Sequence, residues 1–472
     1  MTSPLSIMWF RQDLRLSDNL AVLDAAQHPH VLPIYIFDDR STALFKQGGA
    51  SKMWLHHSLD ALNNTLGGNL NIYQGKAEDV LADLIKHNSI QHVSWNICVE
   101  PWLIDQENAV KALCDKNQIR AKAFNSNYLW SPNDVLKDDG TFYKVFTPYK
   151  RRSYTVPPRE PVAAAKMTHS IKDPLNKTTL ADLDLIPAHA KWPHNIKKVW
   201  KIGEDAAQEK LDLFIQEKLS GYKVERDFPA KEQASQLSPH LHFGEISPVQ
   251  IWQRIKRVGP MTAPYQDIDH FLSEVIWREF STYLLYHAKN LHHDNFNSKF
   301  DALPWENNPD FLKAWQQGNT GFPIVDAGMR QLWETGYMHN RVRMVTASFL
   351  VKNLNIHWHK GRDWFWDCLV DADLASNNAS WQWVAGCGAD AAPYYRIFNP
   401  VLQGEKFDQD GLYTRKYVPA LKNLPTKYLH KPWTAPEHIL VAAGVILGET
   451  YPHPIVDLAA SRNKALAAYK TL

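Results

Sequence analysis

Only four cysteines, Cys98, Cys114, Cys368 and Cys387, occur in this chain of 472 residues, and no two of them form a C-x-x-C pair. Their spacing argues against a zinc ribbon, an iron–sulfur cluster and a disulfide scaffold. No apolar run reaches membrane-spanning length, and the N-terminus MTSPLSIMWFRQDLR has neither an apolar h-region nor a cleavage site. A cytoplasmic protein in a reducing compartment, with no membrane partner, is the expectation. An excess of one charge is lacking too, since 52 Lys and Arg stand against 50 Asp and Glu for a formal net charge of +2. Any basic surface for nucleic acid must therefore be local. No G-x-G-x-x-G follows a strand, and P-loop, G-x-S-x-G and H-E-x-x-H motifs are absent, so hydrolase readings have little to stand on. His287, His292 and His293 match no zinc spacing and read as surface or helix-end histidines, with no metal expected.

What is present divides the chain into regions. Its length calls for more than one core. Short apolar runs at Leu5–Phe10, Val31–Phe37, Leu70–Tyr73 and His92–Trp95 alternate with helical patterns at Leu20–Ala26, Lys52–Leu66, Ala77–His87 and Asp105–Lys116. Strands alternating with helices imply βαβ units, hence a doubly wound, Rossmann-like parallel sheet in residues 1–130. Proline and polar residues then dominate, as in KRRSYTVPPREPV, so 131–200 reads as a long connector and the basic run Lys150–Arg152 as solvated linker. From 201 to 472 the pattern is helical, giving an α/β plus all-α architecture.

Aromatic content is the anomaly, with 18 Trp, 19 Phe and 18 Tyr. Much of it must be packing. Two stretches suggest more: TGYMHNRVRM at Thr335–Met344 and NNASWQW at Asn377–Trp383 gather amides, fixed cations and large π-faces. That mixture suits a stacked aromatic ligand carrying phosphate. In the helical pattern Phe271–Lys289, Glu274, Trp277, Arg278 and Ser281 share one face at i, i+3, i+4 and i+7, as in a cavity wall. The segment Gln236–Gly244, preceded by Ala234 and Ser235, enters an apparent helix whose N–H groups suit phosphate, although an ordinary capped helix reads the same way. Arg343 and Asp371 are candidates for a pair beside a ligand, and Asn377 for a hydrogen bond to a ring nitrogen. Arg226, Arg341, Arg396 and Lys406 are candidate phosphate contacts whose plainer reading is solvated surface.

Several of these motifs together resemble one family. WFRQDLR at Trp9–Arg15 with Asp18 and Asn19, WREF at Trp277–Phe280, TGFPIVD at Thr320–Asp326, Tyr337–Met344, Asp371–Asp373, WQW at Trp381–Trp383 and FNP at Phe398–Pro400 resemble the photolyase/cryptochrome family in order and over nearly the whole chain. The likeness is strongest to class I cyclobutane pyrimidine dimer (CPD) DNA photolyases. It implies an N-terminal antenna domain and a C-terminal helical domain holding FAD, which repairs dimers in DNA by light-driven electron transfer. It also implies roles for individual residues. Tyr222, Ser235, Gln236, Leu237 and Ser238 resemble the flavin phosphate and ribityl segment; Arg343, Asp371, Ala372, Asp373 and Asn377 resemble the isoalloxazine wall. Glu274, Trp277, Asn340, Met344 and Trp383 resemble the dimer pocket. Arg226, Arg278, Ser281, Arg341, Arg396, Gln403 and Lys406 resemble DNA-contacting positions. Trp381, Trp358 and Trp305 match an electron-transfer chain running outward from the flavin. A monomer is expected.

Asn340 and Met344 stand where a (6-4) photolyase carries histidines, and Met344 with Trp383 where a DASH-type cryptochrome carries Gln and Tyr. Asn377 stands where plant cryptochromes tend to Asp. These positions favour CPD repair over a blue-light receptor that keeps FAD without repair. Two departures matter. Ala234 replaces a common hydroxyl, and the folate-binding pair of bacterial relatives aligns with Trp102 and Leu103, its lysine region with Leu291–His293. A second, antenna chromophore is therefore left open between a differently held folate, a deazaflavin, another flavin and none.

Overall fold

The structure, a computed structural model, describes residues 4–38, 46–392 and 395–472. The chain packs as two compact units: Met1–Pro193, Trp200–Ser220 and Ser235–Lys289 in the first, His194–Val199, Gly221–Ala234 and Asn290–Leu472 in the second.

In the first unit, strands β1 (Leu5–Phe10), β2 (Val31–Phe37), β3 (Asn71–Gln74), β4 (Ile90–Asn96) and β5 (Arg120–Phe124) form one parallel sheet in the order β3-β2-β1-β4-β5. Helices α1 (Leu20–Ala25), α2 (Gly49–Thr65), α3 (Ala77–His87) and α4 (Pro101–Lys116) connect the strands. Side chains alternate between faces. Ile7, Trp9, Ile34, Val93 and Trp95 pack with Leu81 and Leu84 of α3 and Val110 and Cys114 of α4, while Ser94 on the other face bonds the Ala21 carbonyl of α1 at 3.0 Å. Four strands match the apolar runs in the sequence. The edge strand β5, RAKAF, is not among them, because its charged residues and half-buried pattern carry no apolar signal.

The stretch read as a connector also contains a helix, α5 (Phe146–Ser153), which corrects the solvated-linker reading of Lys150–Arg152. Phe146, Tyr149 and Ser153 are buried at i, i+3 and i+7, and the Lys150 ammonium reaches Asp269 at 3.1 Å. Three buried residues are enough to order a basic helix when it has a surface to lie on.

In open α/β sheets ligands favour the point where strand order reverses, here between β1 and β4. This chain fills that point itself. Asp13, just beyond β1, accepts the Arg11 N–H at 2.6 Å and the Asn96 and Asn19 amides at 2.6 and 3.1 Å. Arg15, fully buried, donates to four carbonyls, those of Ser17, Asp18, Ser126 and Gly244. Asp18 takes Arg159, the Val162 N–H and the Ser247 hydroxyl. The loop passes so close to Gly244 that a Cβ there would lie 2.1 Å from the Gln12 carbonyl oxygen. WFRQDLR and its Asp18–Asn19 sequel thus tie loops together.

The second unit is helical, with a core that includes Trp315, Phe322, Phe349, Leu350, Trp358 and Trp381. The TGFPIVD motif is another knot. Buried Asp326 accepts the Thr320 N–H and hydroxyl at 2.7 Å each, the Gly321 N–H at 3.1 Å and the Tyr451 hydroxyl at 2.7 Å.

Candidate functional site

The helix Asn340–Ser348 of the second unit begins at His339, whose Nδ1 accepts the Arg341 N–H at 3.2 Å. An imidazole that accepts there must be neutral. Burial, aided by Arg226, pushes His339 down to about 4, so the cap persists at physiological pH. Beyond it, Arg343 donates Nε to the Met338 carbonyl at 2.7 Å and its terminal nitrogen to both Asp371 oxygens at 2.9 and 3.1 Å. The first bond fixes the plane of the guanidinium and the second aims it at the carboxylate. Asp371 precedes the helix Leu374–Ala385; Ala372 is buried beside it, and Asp373 caps the helix through the Ser376 N–H at 2.7 Å. One turn on, buried Asn377 donates its side-chain amide to the Arg362 carbonyl at 3.2 Å. A carbonyl can only accept, so the orientation of the amide is decided: Oδ1 points the other way, as an acceptor.

Cations and aromatics cluster nearby in the same unit. Arg226 lies over the Tyr222 ring at 5.4 Å and Arg343 over Tyr337 at 5.2 Å. Burial pushes Tyr337 up to about 12, against the opposing pull of Arg343. Arg341 pairs with Asp227 at 2.7 Å and sits over Phe407 at 4.4 Å, its Nε buried without a hydrogen-bond partner. Gln403 likewise buries Oε1 with no partner, whereas Asn340, Arg396 and Lys406 are exposed and Met344 half-buried. Trp383 donates to the Asp390 carbonyl at 3.2 Å and shares with Arg396 and Phe398 a cavity of about 20 Å³.

Three tryptophans of this unit differ in exposure. Trp358 and Trp381 are buried and Trp305 is half-buried. Gly361 lets the helix Trp358–Cys368 press on Trp381, since a Cβ there would lie 2.1 Å from the indole.

In the first unit the helix Tyr265–His287 carries Glu274, Trp277, Arg278 and Ser281. Trp277 stacks on Phe146 of α5, centroids 3.6 Å apart and planes within 6°. That stack orients the indole. Arg278 donates to Glu279 at 2.8 Å and to the Asn127 carbonyl at 3.2 Å, and the Ser281 hydroxyl donates to the Trp277 carbonyl at 2.9 Å. Both polar groups are thus engaged within the chain. Glu274 lies 4.0 Å from His270. Sequence reasoning missed Glu279, a buried carboxylate that also accepts the Leu129 N–H at 2.8 Å and that burial pushes up to about 7. Its signal was there: a lone charge at helical spacing from Leu272, Val275 and Ile276.

Also in this unit, Ser235 Oγ accepts the Leu237 N–H at 3.4 Å, Gln236 adopts φ +53° and accepts from Lys210, and Ser238 starts the helix. That helix is one short turn, Ser238–His242. A cavity of about 420 Å³ opens beside β3 and α3, lined by Tyr73, Lys76, Asp79 and Asp173 among others and by none of the residues singled out in the sequence. The series Ser6–His92–Asp24 has the order of an activated serine: Ser6 is hydrogen-bonded to His92 at 2.9 Å, and His92 lies 3.0 Å from Asp24. Ser6 is 1% and His92 2% exposed, so no substrate reaches it.

Comparison with known proteins adds the chemistry. The family description "DNA photolyase" matches residues 6–166 and "FAD binding domain of DNA photolyase" residues 271–471. The deoxyribodipyrimidine photo-lyase of Agrobacterium fabrum is 47% identical over 99% of this chain and 98% of its own length. Cryptochrome-1 of Arabidopsis thaliana is 34% identical over 96% of this chain and 68% of its own. Among solved structures, a bacterial class III photolyase from Agrobacterium tumefaciens superposes with a TM-score of 0.94 at 46% identity, covering 100% of this chain and 98% of that one. An archaeal photolyase from Sulfolobus tokodaii with two FAD molecules gives 0.84 at 28% identity, covering 99% and 100%.

Proposed function

The chain belongs to the DNA photolyase and cryptochrome family, and from that premise we propose that it repairs cyclobutane pyrimidine dimers in DNA using light and bound FAD. The observation that carries the reading is the polar wall of the second unit. An Arg343–Asp371 pair and an Asn377 oxygen directed as an acceptor suit the edge of a reduced flavin, whose N5 bears a proton. The residues present therefore fit FAD. Bound, reduced and photoexcited, FAD would supply the electron-transfer chemistry for opening the cyclobutane ring.

The chain's own residues bind and orient. Asn377 would hold the flavin at N5, Arg343, Asp371, Ala372 and Asp373 would hold the ring system, and Tyr222 with Ser235–Ser238 would hold the phosphate and ribityl part. Glu274 and Asn340 hydrogen-bond the extruded dimer, while Trp277, Met344 and Trp383 give it apolar surface. A dimer stacks and pairs poorly, so extruding it costs less than flipping an intact pair. Arg226, Arg341, Arg396, Gln403 and Lys406 contact the DNA; Arg278 and Ser281 act through the helix they brace. Trp381, Trp358 and Trp305 would relay electrons towards the bound flavin. The reading includes a monomer acting on DNA in the cytoplasm; no helix among the described residues is long and apolar enough to cross a membrane.

Motif by motif the chain looks like class I, but likeness to the class III structure over its full length favours that branch. A second chromophore is open, and the two FAD molecules of the Sulfolobus relative make a second flavin one candidate. A blue-light receptor is the alternative, favoured by the likeness to cryptochrome-1. The test is dimer loss from UV-damaged duplex DNA with reduced protein, in blue light and in darkness. Light-dependent restoration of intact pyrimidines supports the lyase. Bound, photoreducible FAD without repair would move the protein to the receptor class.

A further inference from the structure

The loop between a π-turn at Phe349–Asn353 and the helix Trp358–Cys368 holds two residues that no motif singles out, Asn355 and His357. Asn355 adopts φ +52°, a left-handed conformation that asparagine tolerates better than most side chains. In that conformation it grips the peptide groups on both sides of Trp305. Its carbonyl accepts the Glu306 N–H at 3.0 Å, and its amide donates to the Pro304 carbonyl at 2.9 Å. The His357 N–H adds a third tie, to Asn307 at 2.9 Å.

The His357 ring packs against two of the tryptophans. Its centroid is 4.9 Å from Trp305, at a steep 65°, and 5.8 Å from Trp358, at a near-parallel 25°. Its orientation is set from the other side, because Nδ1 caps the following helix by accepting the His359 N–H at 3.1 Å. The ring is therefore neutral and carries its proton on Nε2. Burial, with Arg362 next in size, holds its pKa below the usual histidine value, in keeping with that cap. Trp358 is anchored independently through its indole N–H to Asn295 at 2.9 Å. A loosely hung surface tryptophan would need none of these ties.

We infer that His357 is the bridge, and Asn355 the clamp, through which an electron passes from Trp305 to Trp358. This rests on the proposed electron-transfer role of the three tryptophans. Trp358 gives an electron up towards Trp381 and is left one electron short. Trp305 then supplies one, so that Trp358 is restored and Trp305 oxidised; the imidazole gains and loses nothing. Electronic coupling decays steeply through empty space and less steeply through packed π-systems, so a ring in contact with both donor and acceptor quickens the step. His357 is a positioning and bridging residue and does not itself react.

Two substitutions separate the bridge from the cap. Asn caps helices well but offers no ring, whereas Phe offers a ring but cannot cap. In FAD-loaded protein, nanosecond absorption of the oxidised indole is expected to show the Trp305-to-Trp358 step slowed roughly tenfold in His357→Asn and nearly unchanged in His357→Phe. Asn355→Gly keeps the left-handed backbone but drops the amide tie, and is expected to slow the step severalfold. Nitrogen NMR of the dark protein should show His357 with a bare Nδ1. Slowing in His357→Phe with none in His357→Asn would reduce the histidine to a cap and overturn the inference, as would a protonated Nδ1. Trp305→Phe is the control for the underlying reading: if it photoreduces like the parent, the tryptophan chain itself falls, and the bridge with it.

Discussion

Two arginine–aspartate arrangements, one in each unit, show how differently buried charge is used. In the first unit Arg15 and Asp18 are both wholly buried. Arg15 spends its donors on four backbone carbonyls, and Asp18 takes Arg159, a backbone N–H and a hydroxyl. In the second unit Arg343 makes one ion pair and one backbone bond, and about a quarter of its side chain stays exposed. A charge bonded on all sides from distant parts of the chain holds loops together. A charge pinned from one side and open on the other is placed to meet something else. Both aspartates belong to motifs that mark the family, yet only one of them is proposed to meet a ligand.

The contrast breaks most visibly at Asp18. Asp18→Ala is expected to cost about 3–5 kcal/mol of stability, because it strands the Arg159 guanidinium and a backbone donor. A loss below about 1 kcal/mol in urea unfolding would show that the knot does not hold the loops. Next is Trp277, which shares its helix with the closed Arg278–Glu279 pair. Trp277→Ala is expected to lower the preference for dimer-containing over intact DNA by about 1–3 kcal/mol, the worth of one stacked base. Undiminished discrimination in a binding titration would remove Trp277 from the pocket.

Glu279 gives a pH test. The folded chain holds its proton up to about 7, whereas the ordinary glutamate value is 4.5. Between those values the folded state binds more protons than the unfolded one, so stability falls as pH rises through that window. From pH 5 to 8 the parent is expected to lose about 2–3 kcal/mol relative to Glu279→Gln. Parallel stability–pH curves for the two proteins would refute the assignment. The smallest effect on folding is expected at Asp371. Asp371→Asn should change unfolding by about 1 kcal/mol or less while weakening FAD binding roughly tenfold. Flavin retained through purification as in the parent would place the pair outside the cofactor site.

Legibility followed how local the signal was. β1, β2, α3 and the long helix around Trp277 were plain, because buried runs and helical spacing lie within a few residues. β5 and α5 were not, since an edge strand with two basic residues and a helix ending in KRRS look like solvated chain until their neighbours are known. The candidate residues came from motifs, and those motifs mixed two roles. Asp13, Arg15, Asp18 and Asp326 hold the fold together, as only their long-range hydrogen bonds reveal.

The order of residues alone determined that a sheet of βα units precedes a helical region, that metal and disulfide chemistry have no cysteine framework, and which family's motifs the chain carries. Each depends on composition or on neighbours along the chain. Tertiary structure decided what spacing cannot encode: that Asn377 presents an oxygen, that Arg278 is turned back on its own chain, and that His357 packs against both Trp305 and Trp358. Hydrogen bonds and ring contacts act over a few ångströms in space, whichever residues the fold brings there. His357 and Trp305 are 52 positions apart in the chain and 4.9 Å apart in the structure.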